Sequence, residues 1–298
     1  MNLVTRRTFL SGSLALVGSA AIGGLARAAE ATRPAAAGKG FRIFACDWTL
    51  EKSCNPEVFE LARRIGLDGV QVDFGKPNES GGRLPLLAEA MQDRIMAAAN
   101  RQGVAVASLC LGAVNSVPYK SEPVAEQWAL DSVAVLQRMK QRVVLLPFFA
   151  DGDLIGDSAG TAEVVRRLKR LAPHAEAAGV VYGIESWLKV PELERILDEV
   201  KSPAIQVYYD VGNMQKVHED VGAAIRRLGH ERICQVHLKD YQDLYGKGSM
   251  DFFAVRAAFD AAGYSGWVGI EGVKTPLGVE ASIRYDLDYL RPIFPKVI

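Results

Sequence analysis

Eight β-rich runs alternate with amphipathic helical segments between Phe41 and the C terminus, at about 32 residues per unit. Strands that alternate with helices indicate βαβ units and a parallel sheet. Eight units with no strong break between them favour a closed (β/α)8 barrel over a doubly wound sheet. The glycine-rich nucleotide fingerprint expected after the first strand of a doubly wound fold is also missing. The sequence therefore predicts an α/β protein whose residues 41–298 form a single TIM-barrel domain.

The predicted strands are short and rich in aliphatic and β-branched residues. They span 42–46, 69–74, 104–109, 143–148, 180–185, 205–210, 233–238 and 267–271. The helical segments between them span 56–65, 86–101, 124–140, 161–178, 191–200, 221–228, 252–262 and 282–293. Glycine follows four of these segments, where the left-handed end of a helix is expected: Gly66, Gly103, Gly179 and Gly263.

The first 28 residues read as a targeting segment. Arg6-Arg7 precede Phe9-Leu10, a weakly apolar stretch follows, and Ala26-Arg27-Ala28 provides small residues for cleavage near Ala28. This pattern resembles a bacterial twin-arginine (Tat) signal peptide, which implies the Tat export machinery as a partner and a periplasmic or other extracytoplasmic location. An uncleaved signal anchor is the alternative. Residues 29–40 read as a linker.

The formal net charge of zero conceals an uneven distribution. The chain has 35 basic and 35 acidic residues, and the targeting segment holds three arginines and no acid, so the remainder carries 32 against 35, or −3. The mildly acidic charge of residues 29–298 argues against nucleic acid as a partner, because binding a phosphate backbone requires a basic surface.

Four consecutive predicted strands end in a side chain able to bind a metal. These are Glu185, Asp210, His237 and Glu271, separated by 25, 27 and 34 residues, or about one βα unit each. The active sites of such barrels lie at the carboxyl ends of the strands, so we expect the four side chains on one rim. Taken alone, each carboxylate could be a solvated loop residue rather than a metal ligand, and the histidine could be an ordinary core residue. Three carboxylates and one imidazole together suit one divalent ion, with Mn²⁺ favoured over Mg²⁺, Co²⁺ and Zn²⁺.

The same residues carry a resemblance to a known family. Glu185 after an apolar strand, Asp210-Val211-Gly212-Asn213, 236–240 (VHLKD), 246–252 and 263–271 occur in that order. Together they resemble the sugar phosphate isomerase/epimerase family, with its xylose isomerase-like barrel, and most nearly the L-xylulose/L-ribulose 5-phosphate 3-epimerases. The resemblance implies that the four rim residues bind one divalent metal and that Glu185 and Glu271 are the catalytic acid/base pair. Relatives are often homo-oligomers, so a homo-oligomer is expected by analogy.

Three further residues are candidates for substrate binding. Lys239 shares strand parity with His237, so it is expected to contact a substrate oxygen, with an ion pair to Asp240 as the alternative. Trp187 could stack on a sugar ring or pack under the rim. Asn213 stands where some ketose 3-epimerases have a substrate-contacting histidine. Asp251 is expected to cap a helix.

Substrate recognition departs from the family pattern at three places. Residues 113–115 lack the usual histidine, Pro191 replaces a glutamate and Asp243 replaces an arginine.

The first functional hypothesis is an exported, metal-dependent sugar isomerase/epimerase that acts on a free ketose or keto-sugar, because sugar phosphates are mainly cytoplasmic. The alternatives are a metal-dependent lyase or hydratase on a 3-keto-glycoside or inosose, and a non-catalytic sugar-binding protein. A phosphodiesterase resembling endonuclease IV is disfavoured, since it needs a histidine-rich site and a basic groove.

Overall fold

Eight parallel strands close into a barrel in sequence order, and the last strand pairs with the first. The strands are β1 (Phe41–Cys46), β2 (Gly69–Asp73), β3 (Ala105–Cys110), β4 (Val143–Phe148), β5 (Val181–Ser186), β6 (Ile205–Asp210), β7 (Ile233–Leu238) and β8 (Gly266–Ile270). The predicted xylose isomerase-like TIM barrel is confirmed, and each predicted strand agrees with the observed one to within a residue at either end, because the apolar runs mark the strands clearly.

The computed structural model describes residues 40–77 and 82–296. The predicted signal segment and the linker up to residue 39 lie outside the described residues. Over the described ranges, no helix is both long enough and apolar enough to cross a membrane.

Nine helices surround the barrel in the described part of the chain. They are α1 (Val58–Ile65), α2 (Glu89–Gln102), α3 (Pro123–Arg138), α4 (Ser158–Ala178), α5 (Val190–Val200), α6 (Val211–Lys216), α7 (Val221–Arg232), α8 (Phe252–Ala262) and α9 (Val279–Ile293). The short helix α6 was not predicted as a separate element. It begins directly after β6 and is too short to show a helical period.

The helix ends follow the predicted capping residues. The four predicted glycines adopt left-handed backbone angles at the ends of α1, α2, α4 and α8. The Asp251 carboxylate accepts hydrogen bonds from the backbone N–H groups of Phe253 and Ala254 at 3.0 Å each, so it caps α8 as expected.

The apolar core has two parts, because the barrel wall separates its interior from the layer of helices. The larger part lies between the strands and the helices. The smaller part fills the barrel and includes Phe44, Leu145 and Tyr208. Below it the Arg42 guanidinium stacks over Trp267, 4.1 Å from the ring centroid. This packing closes the amino end of the barrel and leaves the carboxyl end for polar groups.

The segment between β7 and α8 is held by two buried aspartates. Asp240 accepts hydrogen bonds from the backbone N–H groups of Gln242 and Met250, both at 2.9 Å. Asp286 on α9 accepts one from the Tyr245 N–H at 2.9 Å, and its other oxygen is buried without a hydrogen-bond partner. Burial, together with the nearby carboxylates of Asp240 and Asp243, raises the pKa of Asp286 to about 7, although the hydrogen bond from the Tyr245 N–H acts in the opposite direction.

Replacing Asp286 with asparagine should therefore change how stability depends on pH. A raised folded-state pKa means that the folded chain holds a proton that the unfolded chain releases near pH 4, so stability falls as the pH rises towards 7. Asp286→Asn keeps an acceptor for the Tyr245 N–H and carries no charge. Its free energy of unfolding relative to wild type should rise between pH 4 and about pH 7, by a few kcal/mol at most, at about 1.4 kcal/mol per pKa unit.

Denaturant titrations of both proteins in chelator-containing buffers measure this difference. Asp288→Asn, at an exposed position on the same helix, is the control and should show no such trend. A difference between Asp286→Asn and wild type that stays constant across this pH range would contradict the assignment.

Candidate metal centre

Four side chains from adjacent strands meet at the carboxyl end of the barrel. Glu185 belongs to β5, Asp210 ends β6, His237 belongs to β7 and Glu271 directly follows β8. One ligand atom of each lies within 4.8 Å of the others. Glu185, Asp210 and His237 are buried, and the Glu271 side chain is 14 % exposed. The structure thus brings together all four residues predicted from the strand ends.

Strand register and a local helix cap place these groups. Asp210 pairs with His237 across β6 and β7, and His237 pairs with Gly269 of β8, two residues before Glu271. Residues two apart on a strand share a face, so Glu271 points to the same side as Gly269. Asp210 uses Oδ1 to accept a hydrogen bond from the Asn213 N–H at 2.8 Å, which caps α6. Its Oδ2 therefore remains for the centre.

Lys239 supplies a positive charge within the cluster. Its Nζ lies 3.1 Å from Asp210 Oδ2 and forms a second ion pair with Glu271 Oε2. The predicted alternative, an ion pair with Asp240, is wrong, because the Asp240 oxygens are engaged by backbone N–H groups. Three carboxylates and one ammonium leave a formal charge of −2 on the rim.

Burial and mutual repulsion shift the pKa values of the cluster. Burial raises the pKa of Glu185 to about 8 and that of Asp210 to about 7, although the Lys239 ammonium acts in the opposite direction. Burial acts to raise the pKa of Glu271, but the Lys239 ammonium and the hydrogen bond from Trp48 outweigh it, so this pKa is lowered. Burial lowers the pKa of His237 to about 4, which keeps the imidazole neutral near pH 7.

The ligand atoms of the four residues fit a divalent cation, and two of their buried oxygens lack a hydrogen bond. Asp210 Oδ2 and Glu271 Oε2 are buried and accept no hydrogen bond, so the Lys239 ammonium is their charged neighbour. The ligand atoms all lie within 4.8 Å of one another, which is close to twice the ~2.0–2.3 Å bond lengths of protein Zn²⁺ sites. A charge of +2 would also balance the rim.

Trp187 and Asn213, both predicted substrate residues, form a wall beside Glu185. Asn213 Nδ2 donates to Glu185 Oε1 at 3.3 Å, and Asn213 Oδ1 accepts from Trp187 Nε1 at 3.3 Å. The Tyr241 hydroxyl also donates to Asn213 Oδ1. The Trp187 ring packs against Phe149, with centroids 5.0 Å apart. The Lys216 ammonium lies over the same ring, 3.7 Å from its centroid, so partly exposed aromatic side chains line one side of the centre.

Several residues in contact with the centre were not predicted. Trp48 Nε1 donates to Glu271 Oε1 at 3.1 Å, and the Gln71 and Cys46 side chains contact His237. Trp48 follows the end of β1 and Tyr241 follows β7, so their rim positions were available signals. Gln71 lies inside β2 and Cys46 is the last residue of β1; both side chains are uncharged, and neither was predicted as a site residue.

The three departures from the family pattern have local structural roles. Asn115 Oδ1 accepts a hydrogen bond from the Phe149 N–H at 3.2 Å. Pro191 stands in the first turn of α5, and the Asp243 carboxylate accepts from the Leu244 N–H at 2.7 Å. These residues shape loops and helix ends at the mouth of the barrel.

Comparisons with known proteins agree with this geometry. The family profile described as xylose isomerase-like TIM barrel matches residues 59–293. A 2-epi-5-epi-valiolone 7-phosphate 2-epimerase from an Actinoplanes species is 27 % identical over 201 residues, 67 % of this chain and 72 % of that protein. A protein of Escherichia coli strain K12, assigned by its name to the L-ribulose-5-phosphate 3-epimerases, is 26 % identical over 244 residues, 72 % of this chain and 82 % of its own.

A solved structure shows the same fold at lower identity. The apo form of 3-keto-D-glucoside 4-epimerase from Escherichia coli superposes with a TM-score of 0.67 at 18 % identity. The match covers 85 % of this chain and 99 % of that one. The relatives found by sequence are thus named as epimerases, and the solved epimerase structure shares the barrel fold of this chain.

The four-residue centre predicts stoichiometric metal binding. The purified protein should hold one divalent ion per chain, and His237→Ala should weaken Mn²⁺ binding by more than ~100-fold, the upper end of losses from outer-shell changes alone. Calorimetric titration of the chelator-treated protein measures both. His174→Ala, at an exposed position on α4, is the matched control and should bind as wild type does. Full metal occupancy in a Glu185→Ala/His237→Ala double variant would refute the site.

Proposed function

The chain belongs to the xylose isomerase-like TIM-barrel family, and we propose that it is a divalent-metal-dependent sugar isomerase/epimerase. Glu185 and Glu271 are its acid/base pair, and Glu185, Asp210, His237 and Glu271 hold the metal, with Mn²⁺ as the first choice. Its substrate is a free ketose or keto-sugar. This proposal follows from the chemistry of the centre and the epimerase activity named for its relatives.

The placement of the two glutamates is the observation that carries the proposal. Glu185 comes from β5 and Glu271 from the end of β8, three strands apart in a barrel of eight. They therefore reach the centre from different sides of the rim. Their partners also differ, because Asn213 donates to Glu185 whereas Trp48 donates to Glu271 and Lys239 forms an ion pair with it. Two carboxyl groups on different sides of one substrate can exchange a proton at both faces of its carbon.

The reaction then needs only proton transfers by these side chains. When bound, the divalent cation supplies Lewis acidity that lowers the pKa of the C–H group beside the substrate carbonyl. One glutamate removes that proton, and the electron pair of the broken C–H bond forms the C=C bond of an ene-diolate. The other glutamate delivers a proton to the opposite face, which completes an epimerisation. Return of the proton to the neighbouring carbon gives an isomerisation instead.

Lys239 and the wall beside Glu185 are assigned to the substrate. The Lys239 ammonium lies at the rim, 5.0 Å from the centroid of the Tyr241 ring, where it can donate to a developing oxyanion. Trp187 presents its ring beside Asn213 and Glu185, which suits the apolar face of a sugar. These contacts support a polyhydroxylated carbonyl compound as the substrate class.

The choice of an unphosphorylated substrate depends on the proposed export. Both relatives found by sequence are named for phosphorylated substrates. We base the free sugar on the Arg6-Arg7 signal, because a Tat-exported, periplasmic enzyme meets few sugar phosphates. Paired free and phosphorylated ketoses therefore belong in the same assay.

Deuterium exchange tests the reaction directly. The Mn²⁺-loaded protein, incubated in D₂O with free ketoses, keto-glycosides and ketose phosphates, should place one deuterium beside the carbonyl and produce an epimer or isomer, as read by NMR. Glu185→Gln should lower the exchange rate by about 10²–10⁴, the usual contribution of a general acid/base group. Glu192→Gln, at an exposed site on α5, is the charge-matched control and should exchange at the wild-type rate.

The same spectra separate the alternatives. Release of water or an aglycone would identify a lyase or hydratase, and no exchange with any sugar would identify a binding protein. Faster turnover of a ketose phosphate than of its free sugar would overturn the unphosphorylated substrate while leaving the reaction class intact.

A further inference from the structure

We infer that Gln71 is a positioning residue for the metal centre, which fixes His237 in the tautomer whose Nδ1 binds the cation. The inference depends on the metal site of the proposed function and is independent of the substrate. Gln71 belongs to β2, and His237 belongs to β7. Two strands, β8 and β1, separate them around the barrel.

The two ring nitrogens of His237 face different surroundings. Nδ1 lies 3.2 Å from Glu185 Oε1 and 3.9 Å from Asp210 Oδ2, so it points into the cluster. Nε2 lies 2.8 Å from Gln71 Oε1 on the other side of the ring. A neutral imidazole carries one proton, so only one of its nitrogens can offer a lone pair to a metal.

Gln71 favours one of the two tautomers. Its Oε1 is a carbonyl oxygen and can only accept, so His237 Nε2 is the donor in this 2.8 Å contact, which is shorter than the 3.2 Å from Nδ1 to Glu185 Oε1. The Gln71 amide makes two further contacts. Gln71 Nε2 donates to the Tyr208 hydroxyl at 2.9 Å, and the Cys46 thiol donates to Gln71 Oε1 at 3.2 Å. Nδ1 is then left unprotonated and directed at the carboxylates.

The surroundings prevent this arrangement from relaxing. Gln71, Cys46 and His237 are fully buried, and Tyr208 is 1 % exposed. The His237 ring is also flanked by aromatic rings, with centroid distances of 4.6 Å to Tyr208 and 6.2 Å to Trp48. Rotation of the imidazole would break the bond to Gln71 and leave its buried amide oxygen with the thiol alone, which is costly.

A glutamine that merely filled the barrel would not need this geometry. Gln235 of β7 provides the comparison, because it is 1 % exposed inside the same barrel. Its Nε2 donates to the Ala107 backbone carbonyl at 3.3 Å. It faces no ligand of the centre, so its replacement measures the cost of removing a buried barrel amide without touching His237.

Three variants and one spectrum test the role of Gln71. Gln71→Met removes the acceptor and should weaken Mn²⁺ and Zn²⁺ binding about 10–100-fold, the usual effect of losing a partner of a ligating histidine. Gln71→Glu keeps the acceptor and should restore binding to within a few-fold of wild type. Gln235→Met should bind as wild type does. Calorimetric titration with each metal gives the affinities.

Long-range ¹H–¹⁵N NMR of the metal-free wild type reports the tautomer without any mutation. The His237 pattern should show a protonated Nε2 and an unprotonated Nδ1, and Gln71→Met should lose that single pattern. A protonated Nδ1 in the wild type, or wild-type affinity in Gln71→Met, overturns the inference while the metal site stands. A wild-type chain that binds neither metal overturns the site and the inference with it.

Discussion

Charge compensation at the carboxyl end of the barrel is the constraint on which the site depends. Three carboxylates are brought together with the Lys239 ammonium as their positively charged neighbour, in surroundings that largely exclude water. Burial disfavours the ionised form of each carboxyl, and the raised pKa values of Glu185 and Asp210 express that cost. A divalent cation would offset the −2 charge of the fully ionised groups and would use buried oxygens that accept no hydrogen bond. The cost of burying these carboxyl groups is thus consistent with the proposed metal dependence.

The strands of the barrel position the residues of the site. Alternation along β6 and β7 places Asp210 and His237 side by side, and the same alternation brings Lys239 above them. Phe44, Leu145 and Tyr208 pack in the interior below, and the four candidate metal ligands gather at the carboxyl end. Uncharged residues contact these ligands, because Gln71 meets the His237 ring and Asn213 links Glu185 to the aromatic wall. The proposed metal binding and substrate contact are therefore supported by different residues.

The sequence was sufficient for the barrel and for the four candidate ligands, because strand ends in a barrel converge whatever the details of packing. It was insufficient for contacts that cross the barrel. Nothing local in β2 indicates that Gln71 meets His237, which is 166 residues away along the chain. Lys239 was expected to contact a substrate oxygen, with an ion pair to Asp240 as the alternative, but backbone N–H groups occupy the Asp240 carboxylate and Lys239 pairs with Asp210 and Glu271. Export and the Tat signal remain predictions, since residues 1–28 lie outside the described part of the chain.

Anomalous X-ray scattering from crystals soaked in Mn²⁺ tests the central claim most directly, because it locates the ion without reference to activity. The account predicts one strong peak per chain, at about 2.0–2.3 Å from His237 Nδ1 and from oxygens of Glu185, Asp210 and Glu271. A peak bound elsewhere, or through His237 Nε2, would contradict part of the account. A rim without any peak in crystals that bind Mn²⁺ at another site would contradict its central claim.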